Sequence, residues 1–144
     1  MRLSRITVYA LIAVLGVGVI GSGIATGAGK KKVKTKVTIT FKGSDYGDSF
    51  TGRVKAKAKG TPSVKRKLKR KCVKRRKVVV FRKLTTGKQR IGKTRSNRRG
   101  RWVRSVNGLA EPGRYFAVAK RKKIRYKGKR YVCKKGRSKR ISVP

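Results

Sequence analysis

Between Val33 and Lys42 the chain alternates at every step: Val33, Thr35, Val37, Ile39 and Phe41 fall on one face, and Lys34, Lys36, Thr38, Thr40 and Lys42 on the other. Period two is the pattern of a strand with one face in a core and one in water; at 3.6 residues per turn the same lysines would be scattered around a helix. The alternation returns after the Gly- and Asp-rich turn GSDYGD, with Phe50, Gly52, Val54, Ala56 and Ala58 set against Thr51, Arg53, Lys55, Lys57 and Lys59. The wet positions are largely basic, and the whole chain has 46 Lys and Arg against 3 acids, a net charge of +43.

The rest of the chain reads as further short strands between Gly-bearing turns. KVVVFRKL is dense in β-branched residues, with Val78 and Val80 on one face and Val79 and Phe81 on the other, which predicts a central strand covered on both sides. RIGKTR is a weak strand, RWVRSV carries Trp102, and RYFAVAK follows the loop NGLAEPG. IRY and RYVC flank KGK as a hairpin, and SKRISV closes the chain. Val64, Leu68 and Cys72 stand four apart, the spacing of one helix face, but the segment around them is so basic that it is expected to be irregular. About eight short strands at this spacing predict an all-β fold, a single antiparallel β-sandwich of Ig-like or transthyretin-like type preceded by a hydrophobic signal helix. Its expected core is Val37, Ile39, Phe41, Val54, Val78, Val80, Trp102, Tyr115, Ala117, Ile141 and Val143.

From Ile6 to Gly29 no residue is charged; Arg2 and Arg5 precede this stretch, and Lys30, Lys31 and Lys32 follow it at once. Small residues at cleavage spacing, Ala25 with Gly27 or Thr26 with Ala28, give the layout of a secretory signal peptide over residues 1–28, leaving a basic domain at 29–144. The alternative is an uncleaved single-pass membrane anchor, since about 20 apolar residues span a bilayer, and the lysines after it would then hold the domain in the cytoplasm. Cys72 and Cys133 are not a CxxC pair. After an export signal they are expected to form one disulfide, whose closure of about 60 residues stabilises by roughly 4 kcal/mol in the loop-entropy picture.

Composition also limits function. Without histidine, a Ser-His-Asp or Cys-His nucleophile is impossible, and Asp45, Asp48 and Glu111 are too scattered for a carboxylate pair or a metal cluster. The chain is therefore read as no enzyme, with no cofactor and no metal. Asp45 and Asp48 are expected to stabilise their turn, with neighbouring lysines as partners, and Glu111 is a turn residue.

FTGRV at Phe50, the Cys72 segment leading into RRKVVVFR, the run ending at Trp102, GRYFAV at Gly113 and the closing C-x-x-x-x-S-x-x-I-x-V together resemble a recurrent module. It is similar to uncharacterised secreted β-sandwich domains of high-GC Gram-positive bacteria, carboxypeptidase-regulatory-like or transthyretin-like, over roughly residues 37 to 143. The resemblance implies an extracellular stalk or decoration domain and carries over no catalytic or ligand residue. This chain departs from it in its Lys/Arg loading.

That loading is the remaining functional signal. The densest runs, Lys65, Arg66, Lys67, Lys69, Arg70, Lys71, Lys74, Arg75 and Arg76, then Arg98, Arg99 and Arg101, are the candidate polyanion contacts. The expected partners are anionic cell-wall polymers or lipid head groups, bound non-specifically at the cell envelope. The alternative partner is nucleic acid, with Trp102, Tyr126 and Tyr131 available to stack bases. The plain alternative to both is that the charge only solubilises the domain.

Overall fold

The computed structural model describes residues 30–144, and the expected signal peptide or anchor at 1–28 lies outside the described residues. Eleven strands and one helix follow in the order β1 (Lys31–Val37), β2 (Thr40–Lys42), β3 (Ser49–Lys57), α1 (Pro62–Val73), β4 (Lys77–Leu84), β5 (Gly87–Arg95), β6 (Arg101–Ser105), β7 (Gly113–Ala119), β8 (Lys122–Tyr126), β9 (Lys129–Cys133), β10 (Gly136–Arg137) and β11 (Ile141–Val143). They form two packed sheets. The six-stranded one runs β2-β3-β1-β9-β8, with β6 also on β3; the five-stranded one runs β10-β7-β4-β5, with β11 also on β7. No helix among the described residues is long and apolar enough to cross a membrane.

Alternation places the side chains as expected. Val33, Val37, Phe50, Val54 and Ala56 of the six-stranded sheet face Val78, Val80, Tyr115, Ala117, Ala119 and Val143 of the other in one core cluster. Of the expected core residues, Phe41 and Ile141 are only partly buried at its margin, and the rest are buried. β4 is central, between β7 and β5, and on its outer face Val79 is buried beside Phe116 and Val118 of the same sheet.

The structure corrects the sequence reading in three places. The segment Pro62–Val73 is helical, not irregular. Leu68 and Cys72 are its buried stripe, Val64 packs at its margin, and Pro62 starts the first turn, where a missing N–H costs nothing. Its other side fans the cations into water, where each close like-charge pair costs only about 0.2–0.5 kcal/mol, less than the roughly 2 kcal/mol gained by burying Leu68. Second, the sandwich is mixed: β1 pairs parallel with β9 through Lys31↔Tyr131, Lys32↔Val132 and Val33↔Cys133. Third, the expected single strand VKTKVTITFK is divided into β1 and β2, while the closing strand SKRISV is shortened to β11 and preceded by the unexpected short strand β10. In the first case the register on β3 continues unchanged across the break. There the Arg53 N–H donates to the Thr38 hydroxyl at 2.9 Å, a side chain standing in for the ladder carbonyl, while the Thr38 N–H still donates to the Arg53 carbonyl.

The freed Thr38 carbonyl lies over Gly52, where a Cβ would collide with it and with the Trp102 ring. Gly52→Ala is therefore expected to destabilise the fold by about 1–3 kcal/mol, read as a lower denaturant midpoint. A second test lies in Tyr115, 1% exposed, whose hydroxyl donates to the Glu111 carbonyl at 2.5 Å. Burial raises its pKa above 10.0, with Asp48 adding to the rise and Arg82 opposing it. Above pH 10 the unfolded chain thus ionises first and this site loses stability as pH rises. Tyr115→Phe should cost about 1 kcal/mol at neutral pH and remove that alkaline loss, as measured by urea titration on both sides of pH 10.

Candidate polyanion-binding surface

Five connections cross between the sheets, and four of them gather at one end of the sandwich: β3 to β4 through α1, β5 to β6, β7 to β8 and β9 to β10. What gathers them is Arg76, 1% exposed and so no polyanion contact, contrary to the sequence reading. Its guanidinium donates to the carbonyls of Cys72 (3.2 Å), Lys120 (2.5 Å), Cys133 (3.1 Å) and Lys134 (2.5 Å), and reaches the Thr35 hydroxyl at 3.5 Å. One side chain thus holds the helix end, the β7–β8 link and the β9–β10 link. Beside it the Cys72–Cys133 disulfide, Cα atoms 5.7 Å apart, joins α1 to β9.

The same cluster accounts for the carbonyls that a helix leaves unpaired at its C-terminus. Arg70 O accepts from the Lys74 N–H, Lys71 O from Lys122 Nζ, Cys72 O from Arg76, Val73 O from the Ser96 hydroxyl, and Lys74 O again from Lys122 Nζ. Two cations at the negative end of the helix dipole are well placed. Burial lowers the Arg76 pKa to about 10, so it stays charged at neutral pH. Burial, with Arg76 and Lys74 nearby, also lowers Lys122.

The remaining predicted contacts are on the surface. Lys65, Arg66, Lys67, Lys69, Arg70 and Lys71 are exposed on α1, although Lys71 Nζ also donates to the Arg125 carbonyl and sits 5.3 Å from the Tyr126 ring centre. Lys74 is half-buried and Arg75 is exposed. Arg98, Arg99 and Arg101 are exposed in and after the β5–β6 link. That link docks beside the helix end, since Ser96 O accepts from the Arg75 N–H and Gly100 O from the Val54 N–H. The fold therefore brings the two basic runs together at the crossover end. The proposed stacking residues are not available: Trp102 and Tyr131 are buried, and Tyr126 is half-buried beneath Lys71.

The turn acids also differ from expectation. Asp48 is buried and accepts from the Ala110 N–H at 2.6 Å, tying the β2–β3 turn to the β6–β7 loop rather than pairing with a lysine. Glu111 forms an ion pair with Arg82. Among the described residues no group of three or more His, Cys, Asp or Glu lies close enough to hold a metal ion.

A further cationic surface lies largely outside the basic runs and follows from the alternation itself. On the outer face of the six-stranded sheet β1 presents Lys32, Lys34 and Lys36, β3 presents Arg53, Lys55 and Lys57, β6 presents Arg101, β8 presents Lys123 and Arg125, and β9 presents Arg130. All are exposed, and several stand directly opposite one another: Lys34↔Lys57, Lys36↔Lys55, Arg53↔Arg101 and Arg125↔Arg130. Strand geometry spaces such charges roughly 5 Å across strands and 7 Å along them. Each pair costs about 0.8 kcal/mol in water by Coulomb's law, a cost an opposing anion reverses. Comparison with protein-family models, curated proteins and solved structures finds no match for the chain.

Arg75 and Arg76, adjacent in sequence, provide the test of this architecture. Arg76→Met should destabilise by about 3–5 kcal/mol, because four carbonyls, two in buried and two in part-buried hydrogen bonds, lose their donor, whereas Arg75→Met should change stability by less than about 0.5 kcal/mol. Thermal denaturation of both variants with the disulfide intact measures the contrast.

Proposed function

We propose that this protein is an exported, non-enzymatic β-sandwich domain that binds linear polyanions electrostatically and without sequence preference, with the outer face of the six-stranded sheet as its principal contact. The observation that carries the reading is the set of facing like-charge pairs on that sheet, Lys34↔Lys57 and Lys36↔Lys55 above all. Directly opposed like charges destabilise a sheet, so their repetition over one face fits a surface completed by a ligand of opposite charge. Phosphate-bearing polymers of the cell envelope fit it best: the face offers no exposed aromatic for base stacking, and its charges lie in rows along the strands. An Ig-like or transthyretin-like sandwich of the kind the sequence resembles is in keeping with the Tyr115–Glu111 bond, a tyrosine at the start of a strand bonded to the backbone a few residues upstream. An oxidising destination is in keeping with the Cys72–Cys133 bridge.

Binding of poly(glycerol phosphate), followed by calorimetry across a salt series, tests the reading. The affinity should fall steeply with salt, and changing Lys34, Lys36, Lys55 and Lys57 together to Gln should flatten the log–log slope by about three to four, close to one per lost phosphate contact. Changing Lys65, Arg66, Lys69 and Arg70 to Gln removes the same charge from α1 and should flatten it less. A salt-independent affinity would sink the proposal. Markedly tighter binding to duplex DNA than to the glycerol phosphate polymer would move the partner to nucleic acid.

A further inference from the structure

The outer face of the five-stranded sheet points away from the face just described and is built differently. Val79 pairs with Val118 and Phe81 with Phe116 across β4 and β7, so an apolar strip runs down the middle of the sheet. The two phenyl rings stack with centres 5.4 Å apart. Cations cover them: Arg137 lies 3.9 Å from the Phe116 ring centre and Lys88 lies 5.4 Å from that of Phe81. On either side β5 presents Lys88, Arg90 and Lys93, β4 presents Lys83, and β7 presents Arg114, all exposed. Next to the strip is a hollow of about 340 Å³ whose charged lining residues, Lys83, Lys88, Lys135, Arg137 and Arg140, are all basic.

No acid balances this second face. Asp48 is committed to the Ala110 amide and Glu111 to Arg82, and Asp45 belongs to the β2–β3 turn. The aromatic floor does part of that work, since a ring face attracts a cation and holds Arg137 and Lys88 over the strip. Their remaining N–H groups are left for an external anion. The two cationic faces are separated by the apolar core, with sheets roughly 10 Å apart, so one extended polymer chain lying flat on one face does not cover the other.

Resting on the polyanion-binding reading above, we infer that the protein is bivalent, taking one polyanion chain on each outer face and bridging the two. Its activity is then to cross-link anionic polymers into a network, with its own net charge of +43 keeping free copies apart until polymer is present.

Three variants of equal net charge separate bridging from charge alone. The first reverses one face, with Lys34, Lys36, Lys55 and Lys57 changed to Glu. The second reverses the other, with Lys83, Lys88, Arg90 and Lys93 changed to Glu. The third divides the reversals, with Lys34, Lys55, Arg90 and Lys93 changed to Glu. Each full chain, kept in non-ionic detergent, is mixed with long poly(glycerol phosphate) and followed by light scattering, while a short fluorescent fragment of the polymer reports binding by anisotropy. Both single-face variants should still bind the short fragment but lose at least tenfold in scattering, and the divided variant should keep most of the wild-type scattering. Equal scattering from all three, with binding retained, overturns the bridging inference and leaves the binding proposal standing. No salt-dependent binding of the short fragment even by the wild type overturns both.

Discussion

A guanidinium enclosed by the polypeptide's own carbonyl groups holds this structure together. Arg76 is a buried cation in a chain that has almost no carboxylates to offer it, and it is satisfied by neutral oxygens of the helix end, two sheet crossovers and β1. Burying an unpaired charge costs several kcal/mol, and hydrogen bonds to a charged group recover about 1.5–3 kcal/mol each. The acceptors used are ones the fold would otherwise leave orphaned, because a helix terminus and two tight links expose carbonyls that no strand can reach. Arg76 and these carbonyls are thus each other's solution, and the adjacent disulfide keeps them in register.

From that knot the distribution of charge follows. Lys122 and Arg76 are turned toward the helix end, where carbonyl dipoles stabilise them, and most other cations are turned outward by strand alternation. Repulsion is spread over two outer sheet faces and the exposed side of α1, where the high dielectric constant of water weakens it. The few acids serve the fold locally: Asp48 fastens one loop to another and Glu111 meets Arg82.

Much of this architecture was legible because a period of two survives heavy substitution by lysine. The strands around Val37, Val54, Val79 and Tyr115, the KGK hairpin and the cysteine pair all follow from alternation, turn residues and an even cysteine count. The helix was hidden because its apolar stripe is narrow and its charges suggested self-repulsion, whereas tertiary burial of Leu68 and Cys72 outweighs that cost. Arg76 was indistinguishable from Arg75 in sequence; only the convergence of three chain segments, far apart in sequence, makes one a core residue and the other a surface residue. The parallel pairing of β1 with β9 has no local signal, since register between distant strands is set by the core as a whole. The outer-face lysines could have been found from the alternation, but density along the chain is a poor guide to density in space when strands are neighbours.

The pairing of Val33 with Cys133 has a kinetic side. The six-stranded sheet joins the first described strand to one near the end of the chain, with β1 between its near neighbour β3 and the distant β9. Loop closure over such a span opposes early formation, and parallel strands brought together late are slow to assemble. The β4–β5 and β8–β9 hairpins, which need only local contacts, are then the first structure to form, and native disulfide formation is deferred until β9 is available to meet the helix. With this topology the six-stranded sheet closes around β1 only when β9 follows, and repulsion among the cations helps to hold the two apart until then.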